Sequence, residues 1–318
     1  MISLTGKRIA VVGSGAVGCY YGGMLAHGGH DVRFLMRSDL AAVRQNGLVI
    51  DTQGEVIRLV DVHAFATPQE IGPVDLVIIA LKTTANADLE QLLPPLIGPE
   101  TALLTLQNGL GNEEFLAARW GAERVIGALC FVCINRIAPG VIHHLDHGMI
   151  SIGEFCRPVS DRVLAIAAAF NSVIVVAHAV DNLAGERWRK LLWNIPFNGL
   201  SIAARANVAE VLADDGLRAL ARSLMDEGLD AARRLGHEIP DDFVDWQITR
   251  SHSMGPYKSS SMIDFEAGRP VEVEAIWGEP LRQGLAAGAA MPRLEALYRI
   301  IGYLARRSSV DNSLPAAL

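Results

Sequence analysis

Gly13, Gly15 and Gly18 have the spacing with which a backbone holds a pyrophosphate. The first permits a tight turn, the second lets backbone amides approach phosphate oxygens, and the third lets the following helix pack close to a sheet. Ser14, Ala16 and Val17 fill the same turn, and a helix beginning there directs its N-terminal N–H groups at negative charge. A second set could bind and protonate a small polar molecule. Lys190, Asn194 and Asn198 fall at i, i+4 and i+8, so on a continuous helix they form one stripe drifting by about 40° per step. Amides beside Leu191, Leu192, Trp193 and Phe197 read either as a solvated polar stripe or as a stripe at which something polar is bound, the second being favoured. Lys82 follows one apolar run and Asn108 another, and the stretch from Ser260 to Glu272 adds a serine and a carboxylate.

These residues need elements to place them. Apolar, β-branched runs predict strands at Arg8–Val12, Val32–Met36, Leu48–Asp51, Val56–Val62, Leu76–Leu81, Ala102–Leu106, Val125–Ile137, Val141–Leu145, Met149–Ile152 and Val173–Val180. Helices are predicted at Ala16–Ala26, Ala87–Leu93, Glu113–Arg119 and Asp161–Phe170. Strand–helix alternation implies a parallel doubly wound sheet, at whose carboxyl strand ends ligands bind; Lys82 and Asn108 follow two such ends. From Asp181 the apolar period becomes helical, over Leu183–Arg205, Gly216–Leu235, Phe243–Ser251, Val273–Ala287 and Arg293–Ala305, and Pro196 is expected to bend the first of these. The reading is an α/β Rossmann-type doubly wound N-terminal domain, residues 1–180, followed by an all-α C-terminal domain, residues 181–318.

Composition narrows the partners. A formal charge of -7 with interspersed signs argues against nucleic acid, and no apolar run reaches the roughly eighteen residues of a membrane span. With no signal segment read at the N-terminus, a cytoplasmic enzyme of small molecules is expected. Cys130 and Cys133 form a C-x-x-C inside a predicted strand without a second pair, and His143, His144 and His147 alternate along a hairpin, so no metal site is expected. The histidines read as polar hairpin positions. Trp246 and Trp277 are candidates either for a homodimer contact or for core packing.

Gly13-Ser-Gly-Ala-Val-Gly18, Leu81-Lys82, Asn108-Gly109, Glu186-Arg-Trp-Arg-Lys190 with two downstream asparagines, and Glu266-Ala-Gly-Arg-Pro-Val-Glu272 occur in this order. Over nearly the whole chain the pattern resembles the ketopantoate reductase (2-dehydropantoate 2-reductase) family. The resemblance implies NADPH-dependent reduction of ketopantoate to pantoate, on the route to pantothenate and coenzyme A. It implies Lys190 as general acid, Glu272 as partner carboxylate, Asn194 and Asn198 as substrate ligands, and Lys82 and Asn108 in the cleft, where Asn108 meets both cofactor and substrate. The family's serine, usually followed by methionine, suggests Ser261, whereas an ungapped count from Asp264 selects Ser260, which is favoured because it keeps the spacing to the Glu-Ala-Gly-Arg-Pro stretch. The same count favours Glu272 over Glu274. Gly199 stands where many members carry proline after the second asparagine.

Cofactor choice turns on the second strand. It ends at Met36-Arg37, and arginine there accommodates a 2′-phosphate, so NADP(H) is expected; Asp39 could hold a ribose hydroxyl but more simply caps a helix. Two other readings stay open: a reductase of a different 2-oxo acid on the same plan, and a nicotinamide-binding sensor without turnover.

Overall fold

The computed structural model describes residues 3–52, 54–173 and 175–311. It divides into two compact units: one takes the chain to Asn108 and from Asn112 to Leu183, the other takes Gly109–Gly111 and the chain from Ala184 onward.

The first unit contains β1 (Arg8–Val12), α1 (Ala16–His27), β2 (Asp31–Leu35), α2 (Leu40–Asn46), β3 (Leu48–Thr52), β4 (Glu55–Leu59), β5 (His63–Phe65), α3 (Pro68–Ile71), β6 (Val74–Ile79), α4 (Leu89–Leu92), β7 (Ile97–Thr105), α5 (Asn112–Trp120), β8 (Val125–Ala138), β9 (Val141–Glu154), α6 (Asp161–Asn171) and β10 (Ala177–Ala179). One sheet runs β4-β3-β9-β8-β7-β6-β1-β2-β5, with β10 also on β9. From β8 to β5 every pairing is parallel; β8–β9 and β3–β4 are antiparallel. The Rossmann-type sheet and its antiparallel extension are therefore as expected. Its strands are apolar on both faces because both are covered. Ile9, Val11, Leu76 and Ile78 pack on the α1 and α6 side, while Ala10, Val12, Val77 and Ile79 pack with Leu89 and Leu116 on the other. The chain leaves β1 toward β2 on one side and returns through β6 on the other, so the switch point lies between β1 and β6.

Several boundaries differ for local reasons. The two short strands expected after Val141 are one strand, because register shifts at Phe131/Val132 and Cys133/Ile134 absorb the irregularity that His147 (φ 63°) and Gly148 (φ 111°) introduce. The expected strand Val173–Val180 shortens to β10, and residue 174 lies outside the described residues. The expected helix Ala87–Leu93 is a 3-10 turn, Thr83–Asp88, followed by α4. The three-residue β5 is too short to show a period.

His144 lies on the β8–β9 hairpin as expected, but it is buried. Its residue is 3% exposed, its ring rests 4.6 Å from that of Tyr20, Nδ1 lies 2.6 Å from Thr52 Oγ1, and Nε2 lies 3.1 Å from the Asp146 carbonyl. With the proton on Nε2 the ring accepts from Thr52 and donates to Asp146. Burial above all lowers its pKa below the usual 6.5, outweighing the Asp146 carbonyl. The unfolded chain then binds the proton more readily, so this stability is present above about pH 6.5 and is lost as pH falls toward the folded pKa. Urea unfolding between pH 7 and pH 5 should show that slope, and His144→Gln should flatten it.

The second unit is helical: α7 (Leu183–Ala204), α8 (Val208–Ala213), α9 (Asp215–Arg234), α10 (Phe243–Ser251), α11 (Ser260–Glu266), α12 (Glu279–Ala286) and α13 (Pro292–Asp311). Asp214 begins α9 by accepting from the Leu217 N–H at 2.8 Å. Ala221, Leu224, Met225, Leu229 and Ala232 form its buried stripe. Short α8 escaped the periodicity reading, although Asn207 and Glu210 form a reciprocal capping box. The expected helix Val273–Ala287 is interrupted: Glu274–Gly278 make a π-helical turn before α12. Trp277 is buried and donates from Nε1 to the Ile195 carbonyl at 2.9 Å, which makes it a core residue. Trp246 is exposed, with the Arg250 guanidinium 4.7 Å above its ring.

Candidate functional site

Val12, Ile79 and Thr105 are in register across β1, β6 and β7, so the segments carrying Gly13, Lys82 and Asn108 leave the sheet at one edge. Gly13 has φ 102°, and a Cβ there would lie 2.3 Å from the Leu81 nitrogen. At Gly18 a Cβ would lie 2.2 Å from the Gly13 carbonyl oxygen, so the first turn of α1 lies directly against the turn. Gly15 is exposed, and a Cβ there would meet nothing within 4 Å. The cradle therefore has one open side. Cys19 is the first residue of α1 to bond back, to Gly15, so the N–H groups of Ala16, Val17 and Gly18 precede the helical ladder. An anionic dinucleotide fits such a cradle. Ser14 contributes its backbone, since its hydroxyl donates to the Leu35 carbonyl at 2.8 Å and ties the turn to the end of β2.

Past β2, Arg37 is exposed, and its guanidinium makes no hydrogen bond or ion pair among the described residues. Asp39 occupies the N-cap position of α2 but does not cap it. Its carboxylate instead accepts from Arg136, Ser38 and the Gly140 N–H. The capping reading is thus overturned by groups brought from β8 and the β8–β9 turn.

Lys82 is exposed at the start of the 3-10 turn, and Asn108 is half-buried after β7. A buried amide network fixes the loops that carry them. Gln107 Nε2 donates to the Leu81 carbonyl at 3.0 Å and to Asn86 Oδ1 at 2.7 Å, and Thr105 Oγ1 donates to Gln107 Oε1 at 3.0 Å. Asn86 Nδ2 donates to Asn112 Oδ1 at 3.1 Å, whose Nδ2 reaches the Asn108 carbonyl at 3.0 Å. Gln107→Leu would strand the Leu81 carbonyl and the Asn86 amide. It should cost about 1–3 kcal/mol in urea unfolding, as unsatisfied buried polar groups do.

In the second unit α7 runs through Pro196 as one helix of 22 residues, so the expected bend does not interrupt it. Lys190 is half-buried, Asn194 is 7% exposed and Asn198 is 2% exposed. Asn198 Nδ2 donates to Ser261 Oγ at 3.1 Å, while Asn198 Oδ1 and Ser201 Oγ are buried and have no hydrogen-bond partner among the described residues. Buried acceptors are rarely left so, and this one can take a donor from a bound molecule. Of the two adjacent serines the structure brings Ser261, rather than the expected Ser260, to Asn198: Ser259 caps α11, which leaves Ser260 exposed on the first turn and turns Ser261 toward Asn198. One position is about 100° on a helix, so the cap decides.

Glu272 is 5% exposed just before the π-helical turn. Glu274 is committed elsewhere. Burial pushes its pKa up, but hydrogen bonds from Tyr298 Oη at 2.7 Å and Arg282 Nη1 at 2.9 Å prevail and hold its carboxyl below the usual range. Gly199 is closely packed, since a Cβ would lie 2.6 Å from Leu297 Cδ2 and 3.0 Å from Trp277 Nε1. Gly109, with φ 84°, presses on the π-helical turn: a Cβ would lie 2.2 Å from the Ala275 carbonyl oxygen, which also accepts the Leu110 N–H at 2.9 Å.

Family models match both parts of the chain, "Ketopantoate reductase PanE/ApbA" over residues 9–157 and "Ketopantoate reductase PanE/ApbA C terminal" over residues 182–305. The chain belongs to the ketopantoate reductase family. It is thus a member of an oxidoreductase family. It is 38% identical over 307 residues to a 2-dehydropantoate 2-reductase of Nostoc sp., covering 95% of this chain and 96% of that protein. Its structure resembles that of 2-dehydropantoate 2-reductase from Geobacter metallireducens, with TM-score 0.91 and 45% identity, covering 93% of this chain and 99% of the other. It also shares its fold with a D-mandelate dehydrogenase solved with NADH and anilino(oxo)acetate, at TM-score 0.85 and 21% identity, covering 95% and 99% of the two chains. Among the described residues no helix is long and apolar enough to cross a membrane.

Proposed function

We propose that this family member catalyses the NADPH-dependent reduction of 2-dehydropantoate to pantoate, with Lys190 as general acid. The observation that carries the reading is the α7 stripe: an ammonium and two buried amides at four-residue intervals, the second bonded to Ser261 and holding an unpartnered acceptor. The names of the relatives supply the substrate.

NADPH supplies hydride to the C2 carbonyl when bound. The protein's own part is to hold the acid and manage the charge. Gly13 to Gly18 cradle the pyrophosphate, and Arg37 meets the 2′-phosphate with its guanidinium. Lys82 and Asn108 stand at the carboxyl ends of β6 and β7, where cofactor and substrate are bound. Asn194 and Asn198 bind the substrate hydroxyl and carboxylate, and Asn198 Oδ1 accepts from the hydroxyl. Charge grows on the carbonyl oxygen as the ketone is reduced, so the Lys190 ammonium stabilises it and then donates a proton to give the alcohol. Glu272 is the partner carboxylate that helps to hold substrate.

Nicotinamide absorbance with purified protein tests this directly, using 2-dehydropantoate and a panel of other 2-oxo acids, each with NADPH and NADH. Turnover confined to 2-dehydropantoate and NADPH is expected. Turnover on another oxo acid alone moves the chain to a sister activity, and cofactor binding without any turnover makes it a sensor.

A further inference from the structure

The rim after β2 is where this type of fold meets the adenosine ribose, and a carboxylate able to face it would accept the 2′-hydroxyl and repel a 2′-phosphate. Asp39, two residues beyond Arg37, is such a carboxylate, but it is turned inward with its side chain 3% exposed. Oδ1 accepts from Arg136 Nη1 at 2.5 Å and from Ser38 Oγ at 2.8 Å, and Oδ2 accepts from the Gly140 N–H at 3.0 Å. Every one of these donors except Ser38 comes from the β8–β9 hairpin, about a hundred positions along the chain.

Arg136 itself is 44% exposed and also reaches Ser38 Oγ at 3.2 Å. Both of its contacts use Nη1, so Nε and Nη2 make no hydrogen bond among the described residues. The Arg136 guanidinium therefore borders Ser38 from the hairpin, and exposed Arg37 precedes Ser38 in the chain. A phosphate takes its hydrogen bonds from planar, forked donors of this kind.

We propose that Arg136 is a specificity-determining residue for the cofactor 2′-phosphate. It adds a second cation to the rim and keeps the Asp39 carboxylate away from the ribose. This rests on the NADPH reading above and extends it to a residue outside the β1–α1–β2 segment in which such specificity is usually read.

Calorimetric titration with NADP+ and, separately, NAD+ tests it without any turnover. Wild-type protein should bind NADP+ more tightly. Arg136→Gln should weaken NADP+ on the order of ten-fold, the loss of one charge-assisted contact, without weakening NAD+, which a released Asp39 carboxylate can only favour. Removing the arginine leaves a buried carboxylate unpaired, which can unfold the variant, so Asp39→Asn with Arg136→Gln provides a charge-balanced second test. The double variant should also lose preference for NADP+. An unchanged NADP+ to NAD+ affinity ratio in the folded variants overturns the proposal, and so does equal weakening of both nucleotides, which would mark a purely structural tie. Equal binding of both nucleotides by the wild type would instead defeat the NADPH reading itself, visibly and before any variant is made, and the inference would fall with it.

Discussion

Replacing Lys190 by alanine should lower turnover by about 10²–10⁴-fold, the usual contribution of a positioned proton donor, while NADPH binding stays intact. The separation follows from where the residues lie. Lys190 stands on α7 in the second unit, whereas the glycine cradle and Arg37 belong to the first. On the proposed mechanism its loss removes an ammonium from the developing alkoxide and leaves the glycine turn intact. Steady-state rates paired with calorimetric titration of NADPH distinguish the possibilities. Near-normal turnover would remove Lys190 from the mechanism, and parallel loss of NADPH affinity would mean the substitution had disturbed the fold. Lys190→Arg should restore little, because a guanidinium keeps its proton at every accessible pH and cannot act as the acid.

Gly13→Ala should damage both the fold and the cofactor cradle of the first unit. Its Cβ would lie 2.3 Å from the Leu81 nitrogen and 2.5 Å from the Ala80 carbonyl carbon, both backbone atoms, at a φ of 102°. Backbone strain and overpacking of about 1–3 kcal/mol each give a loss of roughly 2–6 kcal/mol in denaturant unfolding, together with loss of cofactor binding. Gly15→Ala provides the contrast. It has open space for a Cβ and sits at φ -82°, so unfolding should hardly change while NADPH affinity falls, because the methyl group stands where phosphate oxygens approach. Equal destabilisation by the two substitutions would sink the assignment of Gly15 to cofactor approach.

The parts legible in the sequence are those whose cause is local. β1, the glycine turn and α1 occupy one short segment, and each residue's task there is set by its immediate neighbours. The α7 stripe was legible because helical period alone brings Lys190, Asn194 and Asn198 to one side. Ser261 was not, because the choice between adjacent serines rests on the helix beginning at Ser259 and on Asn198 lying 63 positions earlier in the chain. Asp39 misleads for the same reason: its nearest neighbours favour a capping role, whereas Arg136 and Gly140 reach it only after the hairpin folds back onto α2. The burial of His144 is not legible, since alternation along β9 carries no record of Tyr20 and Thr52 closing over it.

The sequence by itself determined the Rossmann-type sheet, the helical second half and the residue types able to cradle a pyrophosphate and donate a proton. Burial period and backbone stereochemistry act over a few residues and need no partner from elsewhere. Tertiary structure alone decided which serine meets Asn198, which glutamate is tied to Tyr298 and Arg282, and that Asp39 turns inward to Arg136. Those outcomes depend on side chains brought together from distant positions, where hydrogen bonding in a buried setting overrides each residue's local preference.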